Sequence, residues 1–129
     1  MRLLLDSHAF IWLTESPERV PLAVLSEFER SDTEIYLSIA SVWEMQLKAL
    51  KGDLKLYAPL IDIVAVEQQQ NGLSILGLRS DHVWALADLP AHHRDPFDRM
   101  LIAQAQVEDM HLVTADRNIA KYKVKTLWQ

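Results

Sequence analysis

The sequence predicts a three-layer α/β/α fold, in which helices cover both faces of a mostly parallel central sheet. Short apolar runs alternate along the chain with longer segments whose apolar residues recur at helical spacing. The short runs are apolar throughout, which is typical of strands that are buried on both faces of a parallel sheet. A length of 129 residues favours a single domain over residues 1–129.

The first third of the chain predicts two strands separated by two helices. Residues 2–5 form a short apolar run, which predicts a buried strand that ends at Asp6. A helix is expected over residues 8–14 and stops before the next proline, because proline disfavours helix in the residue before it. Pro21 opens a second helix, and residues 35–38 predict the second strand.

The middle of the chain predicts two long helices and a third strand. The first helix runs from about residue 39 to 51 and ends at Gly52, since glycine commonly terminates helices. The second begins at Pro59 and ends at Asn71-Gly72, before a strand over residues 73–76. The first of these helices has an apolar stripe: Ile39, Val42, Trp43, Leu47 and Leu50. Two tryptophans on apolar helix faces are interpreted as core residues rather than as platforms for stacked bases: Trp12 and Trp43.

The last third predicts two further helices, a fourth strand and a possible fifth. Ser80 is expected to cap a helix that reaches residue 87 and stops before Pro90. Asp95-Pro96 opens the next helix, because aspartate is favoured at the N-cap and proline in the first turn. That helix continues to about residue 109, ahead of strands over residues 111–114 and 124–128.

Composition restricts the type of site and the expected location. The chain has no cysteine, which excludes disulfides and zinc sites built on thiolates. The apolar start MRLLLDSHAFIWL is interrupted by Asp6 and His8, and no small-residue cleavage site of a signal peptide follows it. No apolar run approaches the roughly 20 residues that span a bilayer. We therefore expect a cytoplasmic protein without a membrane segment.

The charge distribution bears on the partners that the chain could bind. A formal net charge of −5 is unfavourable for general binding to nucleic acid. After Asp116, however, the remaining charged residues are all basic: Arg117, Lys121, Lys123 and Lys125. These basic residues either form a solvated surface or attract an anionic partner locally.

Four acids are expected to meet at one edge of the sheet. In open parallel sheets, sites lie beyond the carboxyl ends of the strands. Asp6 ends the first strand, and Asp116 follows the fourth strand closely. Glu44 lies on the helix after the second strand, and Asp98 lies in the first turn of the helix that Asp95 opens. These segments are distant in sequence but can converge at one rim.

Converging carboxylates need a cation to offset their repulsion and the cost of their desolvation. Oxygen ligands suit Mg²⁺ or Mn²⁺, which bind through a few carboxylates and keep several waters. Such ions activate water and stabilise charge on a phosphoryl group. The natural chemistry for Asp6, Glu44, Asp98 and Asp116 is therefore metal-assisted hydrolysis of phosphodiester bonds.

Each acid also has a purely structural interpretation. Asp6 and Asp116 would serve as helix caps or turn residues, and Asp98 would interact with the dipole of its own helix. Glu44 would form a surface ion pair with Lys48, four residues later on the same helix. The joint placement of the acids, rather than any one of them, favours a site.

The histidines and glycines provide no established metal or phosphate motif. His8 lies two residues after Asp6, where it would either bond locally within its helix or touch a substrate. His92 and His93 are interpreted as loop residues. The sequence contains no HExxH pattern and no phosphate-binding glycine loop, so a zinc hydrolase or a nucleotide-binding loop is poorly supported.

Four segments, in this order and spacing, resemble the PIN-domain nucleases, and especially the VapC toxins of bacterial toxin–antitoxin pairs. The segments are LLLDSHAFIW, LSIASVWEMQLKALKGDL, HHRDPFDRMLIAQAQ and LVTADRNIAKY. The resemblance extends from Met1 to about Tyr122, and its specificity comes from the order and spacing of short motifs.

The resemblance implies a Mg²⁺- or Mn²⁺-dependent ribonuclease that acts on RNA, is inhibited by a small cognate antitoxin and is usually dimeric. It assigns the site to the same four acids, read position by position: Asp6, Glu44, Asp98 and Asp116. Asp95 is an ambiguous neighbour, since its spacing to Pro96 fits a helix cap better than a ligand. A homodimer is also expected because large apolar residues of the first two helices need cover: Phe10, Trp12, Leu22, Leu25 and Phe28.

Two other functions use a similar fold. A receiver-like signalling domain accepts phosphate on an aspartate at a strand end, but no acid pair follows the first strand here and Glu44 would have no role. A PIN-like fold kept only for protein binding would not need all four acids.

Overall fold

A computed structural model of the chain describes residues 1–93 and 95–129, so Arg94 of the HHRDPFDR segment lies outside the described residues. Its centre is a sheet of parallel strands. The strands β1 to β5 are Arg2–Leu5, Glu34–Ser38, Ser74–Leu76, His111–Val113 and Thr126–Leu127. The helices α1 to α6 are Ser7–Glu15, Leu22–Phe28, Ile39–Lys51, Leu60–Asn71, Ser80–Ala85 and Pro96–Glu108.

The strand order creates a crevice between β1 and β4. The spatial order is β3-β2-β1-β4-β5, so the chain moves outward from β1 to β3 and then returns to the other side of β1. Leu5 pairs with both Leu37 and Val113, which brings the carboxyl ends of the three central strands to one edge. Connections leave β1 and β4 in opposite directions, and ligands bind at such switch points in open α/β sheets.

The core lies on both faces of the sheet, as the predicted three-layer fold requires. Leu3 and Leu5 pack with the first cluster of buried residues, which includes Phe10 and Ile63 from helices α1 and α4. Leu4 points the opposite way and packs with a second cluster, which is formed largely by α6. This period of two along a strand that is apolar throughout is the signature of burial on both faces. The predicted three-layer α/β/α fold is confirmed.

Helix ends follow the predicted signals at most positions. Gly52 and Gly72 end α3 and α4 with φ values of 81° and 67°, a left-handed conformation that glycine adopts without steric cost. Asp95 is the N-cap of α6, as predicted. The predicted cap at Ser80 is wrong, because α5 includes Ser80 and Arg79 occupies the cap position. There the Arg79 amide donates to Nδ1 of His82 at 3.0 Å.

The predicted core role of Trp43, in the apolar stripe of α3, is also wrong. Trp43 and Leu50 are 58% and 76% exposed, whereas the buried side of α3 carries two small residues, a glutamate and one methionine. That side is formed by Ala40, Ser41, Glu44 and Met45. An apolar stripe shows which residues share a face but not which side of the helix the rest of the fold covers. Here Val42 of the stripe packs in part against the core, while its other members are exposed: Ile39, Trp43, Leu47 and Leu50.

The first two helices leave less apolar surface exposed than expected. Phe10 is buried, and Leu25 and Phe28 pack in part against the core, although Leu22 remains exposed. The expectation of a dimer was based on exposed apolar residues in these two helices, and only some of those residues are exposed. No helix within residues 1–93 and 95–129 combines the length and apolarity needed to cross a bilayer.

Candidate active site

The four predicted acids and Asp95 line one cleft of about 290 Å³ at the carboxyl edge of the sheet. They come from the end of β1, from α3, from the start of α6 and from the segment after β4. A second cavity of about 140 Å³, between α1, α2 and α4, is lined mostly by leucine, isoleucine and phenylalanine side chains. Its polar lining residues are Glu67 and Asn71 on one helix, so it is a weaker candidate for chemistry than the acidic cleft.

Asp6 is held rigidly where β1 ends. Its amide donates to the Val113 carbonyl of β4 at 3.1 Å, and its Oδ1 accepts from the Ala9 amide at 2.8 Å. Burial raises the pKa of the Asp6 carboxyl, against hydrogen bonds from Thr114 and Ala9 that lower it. Asp6 thus serves as the helix cap that the structural interpretation proposed, and it also lines the cleft.

Glu44 enters the cleft from the second turn of α3. Its Oε1 accepts from the Ser7 hydroxyl at 2.7 Å, and its Oε2 lies 3.3 Å from Nζ of Lys48. The ion pair proposed from the sequence therefore forms, but only Lys48 is at the surface. The Glu44 side chain is 9% exposed and that of Lys48 is 47% exposed. A buried carboxylate aimed at a polar cleft is unusual for a surface pair.

Asp95 and Asp98 divide structural and electrostatic roles at the start of α6. Asp95 Oδ1 accepts from the Phe97 amide at 2.8 Å and from the Asp98 amide at 3.4 Å, as an N-cap does. Burial raises the pKa of Asp98 to about 7, and the negative charge of Asp95 adds to this rise. Glu44 and Asp6 raise it further, while His93 opposes the shift.

Asp116 lies beyond β4 in a tight turn. Its amide donates to Oγ1 of Thr114 at 3.0 Å, and its Oδ1 accepts from the Asn118 amide at 2.8 Å. The turn role suggested by the sequence is therefore present. It also orients the second carboxylate oxygen, Oδ2, which lies 3.0 Å from Nε2 of His93.

His93 is the site residue that sequence reasoning missed. Its Nε2 lies 3.1 Å from Asp98 Oδ2 and 3.0 Å from Asp116 Oδ2. One ligand-type atom from each of these three side chains lies within 4.8 Å of the others. His93 belongs to a loop, as predicted, and a loop has no periodicity that would reveal where its side chain points. The available signal was its position two residues before the predicted cap Asp95.

The rim of the cleft carries aromatic and basic groups. His8 is exposed and lines the cleft, with its ring centroid 6.0 Å from that of Trp12. Trp12 packs in part against the core, as predicted. It also packs against Trp128, at 5.6 Å between ring centroids. Trp43 was assigned to the core, but it is mostly exposed and packs edge-on against Phe97 at 5.2 Å.

The cleft as a whole has an excess of negative charge. Within the described residues, its five carboxyl groups face one lysine, Lys48, and the imidazoles of His8 and His93. Burial is the main cause of the raised pKa values of Asp6 and Asp98, and the neighbouring carboxylates add to it. The donor set consists of carboxylate oxygens, which fits Mg²⁺ or Mn²⁺ and is too hard for metals that prefer thiolates. A divalent cation bound here would relieve the repulsion.

Comparisons with known proteins identify the family and the fold. The profile of the PIN domain family matches residues 3–125. The chain is 26% identical over 122 residues to "Ribonuclease VapC22" of Mycobacterium tuberculosis, covering 94% of this chain and 92% of that protein.

Two solved structures share the fold at low sequence identity. One is VapBC2 from Rickettsia felis bound to a fragment of promoter DNA, with a TM-score of 0.78, 14% identity and complete coverage of both chains. The other is FitAcB from Neisseria gonorrhoeae, with a TM-score of 0.65, 20% identity and coverage of 97% of this chain and 96% of that chain.

Proposed function

This chain belongs to the PIN-domain family, and from that premise we propose that it is a metal-dependent endoribonuclease, the toxin of a toxin–antitoxin pair. The observation that carries the proposal is the excess of carboxylates in one cleft at the β1/β4 switch point. The similarity to a protein named as a ribonuclease, over almost the full length of both chains, supports the choice of substrate.

The proposed metal ligands are the acids held by the most rigid elements. Asp6 is fixed by a strand end and Asp98 by the first turn of α6, and these two would hold Mg²⁺ or Mn²⁺ directly. Glu44 would contribute directly or through water, since its Oε1 is oriented by Ser7. When bound, such an ion lowers the pKa of a coordinated water and stabilises charge on phosphoryl oxygens.

Asp116 is proposed to orient the attacking water or to take part in binding a second ion. Its carboxylate is held from two sides, by the Asn118 amide and by His93, so it presents its remaining lone pairs in a fixed direction. In-line attack of water on phosphorus releases a sugar oxygen, which leaves with the proton supplied by solvent. This route does not use the 2′-hydroxyl of RNA.

Local basic groups explain how an acidic chain can bind RNA. Lys48 lines the cleft itself, and Arg117 lines a groove that shares Ala115 and Asp116 with it. Arg117 is exposed and follows the last acid of the chain, so it is available to a phosphate next to the scissile bond. We propose that groove shape selects RNA and that this activity operates in the cytoplasm.

The antitoxin is proposed to insert a cationic side chain among the acids. Uncompensated carboxylates attract an arginine, which pairs with them in a bidentate manner. We predict that a complex with the cognate antitoxin will show an arginine against Asp6 or Asp98, and that replacing it by methionine will restore cleavage. A complex that blocks cleavage while all four acids stay open to solvent would contradict this mechanism.

A homodimer is proposed on the outward-facing stripe of α3 rather than on α2. Leu50 is 76% exposed at the end of that stripe, and Trp43 continues it toward the site. We predict a dimer mass by light scattering at micromolar concentration, which Leu50→Glu should reduce to that of a monomer. Leu22→Glu on α2, at a site that is also highly exposed, is the matched control and should leave the dimer intact. A monomeric wild type would refute the proposal.

The activity is tested by incubating the chain with RNA in the presence of Mn²⁺ or Mg²⁺. We expect endonucleolytic cleavage that chelation stops, that Asp6→Asn abolishes and that Asp62→Asn, an exposed acid on α4, leaves unchanged. A single 2′-deoxy substitution at the scissile nucleotide should leave chemistry intact. If that substitution abolishes cleavage, the 2′-hydroxyl is the nucleophile and the proposed water attack is wrong. If a small phosphodonor labels Asp6 and RNA stays intact, a receiver-like function replaces this one.

A further inference from the structure

We propose that His93 is a positioning residue that clamps Asp98 and Asp116 through a single N–H group and that it is not itself a metal ligand. The proposal rests on the proposed function, since it concerns how the chain arranges the acids that would hold the ion. The three side chains form a group with the spacing of a metal site, which makes the distinction between ligand and clamp important.

The backbone of Asp95 fixes which nitrogen of the His93 ring carries hydrogen. The Asp95 amide donates to Nδ1 of His93 at 3.1 Å. A ring nitrogen that accepts a hydrogen bond has no hydrogen of its own, so the hydrogen must lie on Nε2. The same amide belongs to the N-cap residue of α6, whose position is set by the Asp95-Pro96 helix start.

The N–H on Nε2 is hydrogen-bonded to Asp116, and the carboxylate of Asp98 lies beside the same nitrogen. Nε2 lies 3.1 Å from Asp98 Oδ2 and 3.0 Å from Asp116 Oδ2, both within hydrogen-bonding distance. A metal ligand needs a lone pair on the nitrogen that faces the ion, and here that position holds a hydrogen. His93 therefore donates to Asp116 and keeps its Nε2 between the carboxylates of Asp116 and Asp98.

The clamp determines which oxygens remain for a cation. Asp116 is engaged at both oxygens, by Asn118 and by His93, while His93 engages Asp98 only at Oδ2. The other oxygen of Asp98 would then be left to hold an ion, together with Asp6. Hydrogen bonds to ligating carboxylates orient them, and their loss typically weakens metal affinity about 10-fold to 100-fold.

Two variants separate the clamp from a ligand. His93→Leu removes the donor at similar volume, and His93→Gln places an amide N–H near the position of Nε2. We expect Mn²⁺ affinity, measured by titration followed with electron paramagnetic resonance, to fall about tenfold in the leucine variant. The glutamine variant should restore affinity to within about threefold of wild type, and saturating Mn²⁺ should recover cleavage in both.

Spectroscopy on histidine-labelled protein gives the decisive readout. In the metal-free chain, long-range ¹H–¹⁵N spectra should show His93 with hydrogen on Nε2 and an accepting Nδ1. In the Mn²⁺-loaded chain, no ¹⁵N hyperfine coupling should depend on His93. A coupling that disappears in His93→Leu would make His93 a ligand and overturn the clamp, as would unchanged Mn²⁺ affinity in that variant. A chain that shows the clamp and binds Mn²⁺ but leaves RNA intact would contradict only the proposed activity.

Discussion

The two ends of helix α6 hold acids in opposite electrostatic settings. At the carboxyl end, Glu108 Oε1 lies 2.8 Å from Nη1 of Arg79 and 3.5 Å from Nε2 of the buried His82. Arg79 also bonds Asp81, and this hydrogen bond lowers the pKa of Asp81 and raises that of Arg79. At the amino end, burial and neighbouring acids raise the pKa of Asp98 to about 7.

The difference separates acids that stabilise the fold from acids that we propose bind a ligand. An acid with a guanidinium partner is stabilised in its charged form by the protein itself. Within the described residues, Glu44 pairs with Lys48, but the other cleft acids lack a lysine or arginine partner. The folded chain therefore bears a repulsion that a bound cation would relieve. Groups held in an unfavourable charge state within a cleft mark functional sites.

The largest predicted effect is on catalysis when an acid of the cleft loses its charge. Asp6→Asn and Asp98→Asn should each lower RNA cleavage at least 100-fold, because each removes a proposed metal ligand at nearly constant volume. Both should leave the fold intact and raise the melting temperature of the metal-free chain by relieving repulsion. Asp95→Asn should be mild, because asparagine also caps helices well. Cleavage rates and melting temperatures with Mn²⁺ present check all three.

The outcome for Asp95 and Asp98 tests the division of roles within α6. Full activity in Asp98→Asn together with loss in Asp95→Asn would show that the cap and the ligand have been assigned the wrong way round. Retained activity in Asp6→Asn would remove the basis of the metal-dependent site.

A smaller effect is expected in the stability of the metal-free chain as the pH changes. The folded-state pKa of Asp98 is raised to about 7 from 3.8, so the folded state holds this proton more tightly than the unfolded state. Its stabilising contribution is fully present below about pH 4 and is lost as the pH rises through 7, by on the order of 2 kcal/mol given its partial exposure.

Thermal melts from pH 4 to pH 8 measure this loss. We expect Asp98→Asn to flatten the pH profile and Mg²⁺ to restore wild-type stability at pH 8. A wild-type chain without metal that becomes more stable from pH 5 to pH 8 would contradict the assignment of Asp98.

The smallest effect is expected at the compensated end of α6. Glu108→Ala removes the partner of Arg79 and leaves the buried Nε2 of His82 without its neighbouring acid, so the free energy of unfolding should fall by about 1 kcal/mol. Cleavage per folded molecule should stay at the wild-type rate. A loss of activity at full stability would mean that the two ends of the helix are coupled.

The part of the site that could be predicted from sequence is the part set by strand and helix ends. Asp6 and Asp116 follow apolar runs, and parallel strands bring such ends together. Asp95-Pro96 is a strong start signal, which placed Asp98 in a first helical turn. These inferences depend on local patterns that the tertiary structure does not change.

The remainder depends on contacts that no local pattern encodes. His93 lies in a loop, and only the positions of Asp95 and Asp116 in space determine where its ring points. The outward orientation of Trp43 and Leu50 depends on which side of α3 the sheet edge and α6 cover. The cap of α5 was misplaced because the His82 ring accepts the Arg79 amide, a role that glutamate or glutamine usually fills at this third helical position.

The most direct test of whether the cleft acids bind a metal ion is the Mn²⁺ affinity of variants at the two ends of α6. Electron paramagnetic resonance at neutral pH should show that the wild type and Glu108→Ala bind Mn²⁺ with the same affinity. Asp98→Asn, which removes an acid from the same helix, should lose tight binding. Equal Mn²⁺ affinity in Asp98→Asn and the wild type would show that the charge of the cleft is not held for a metal ion.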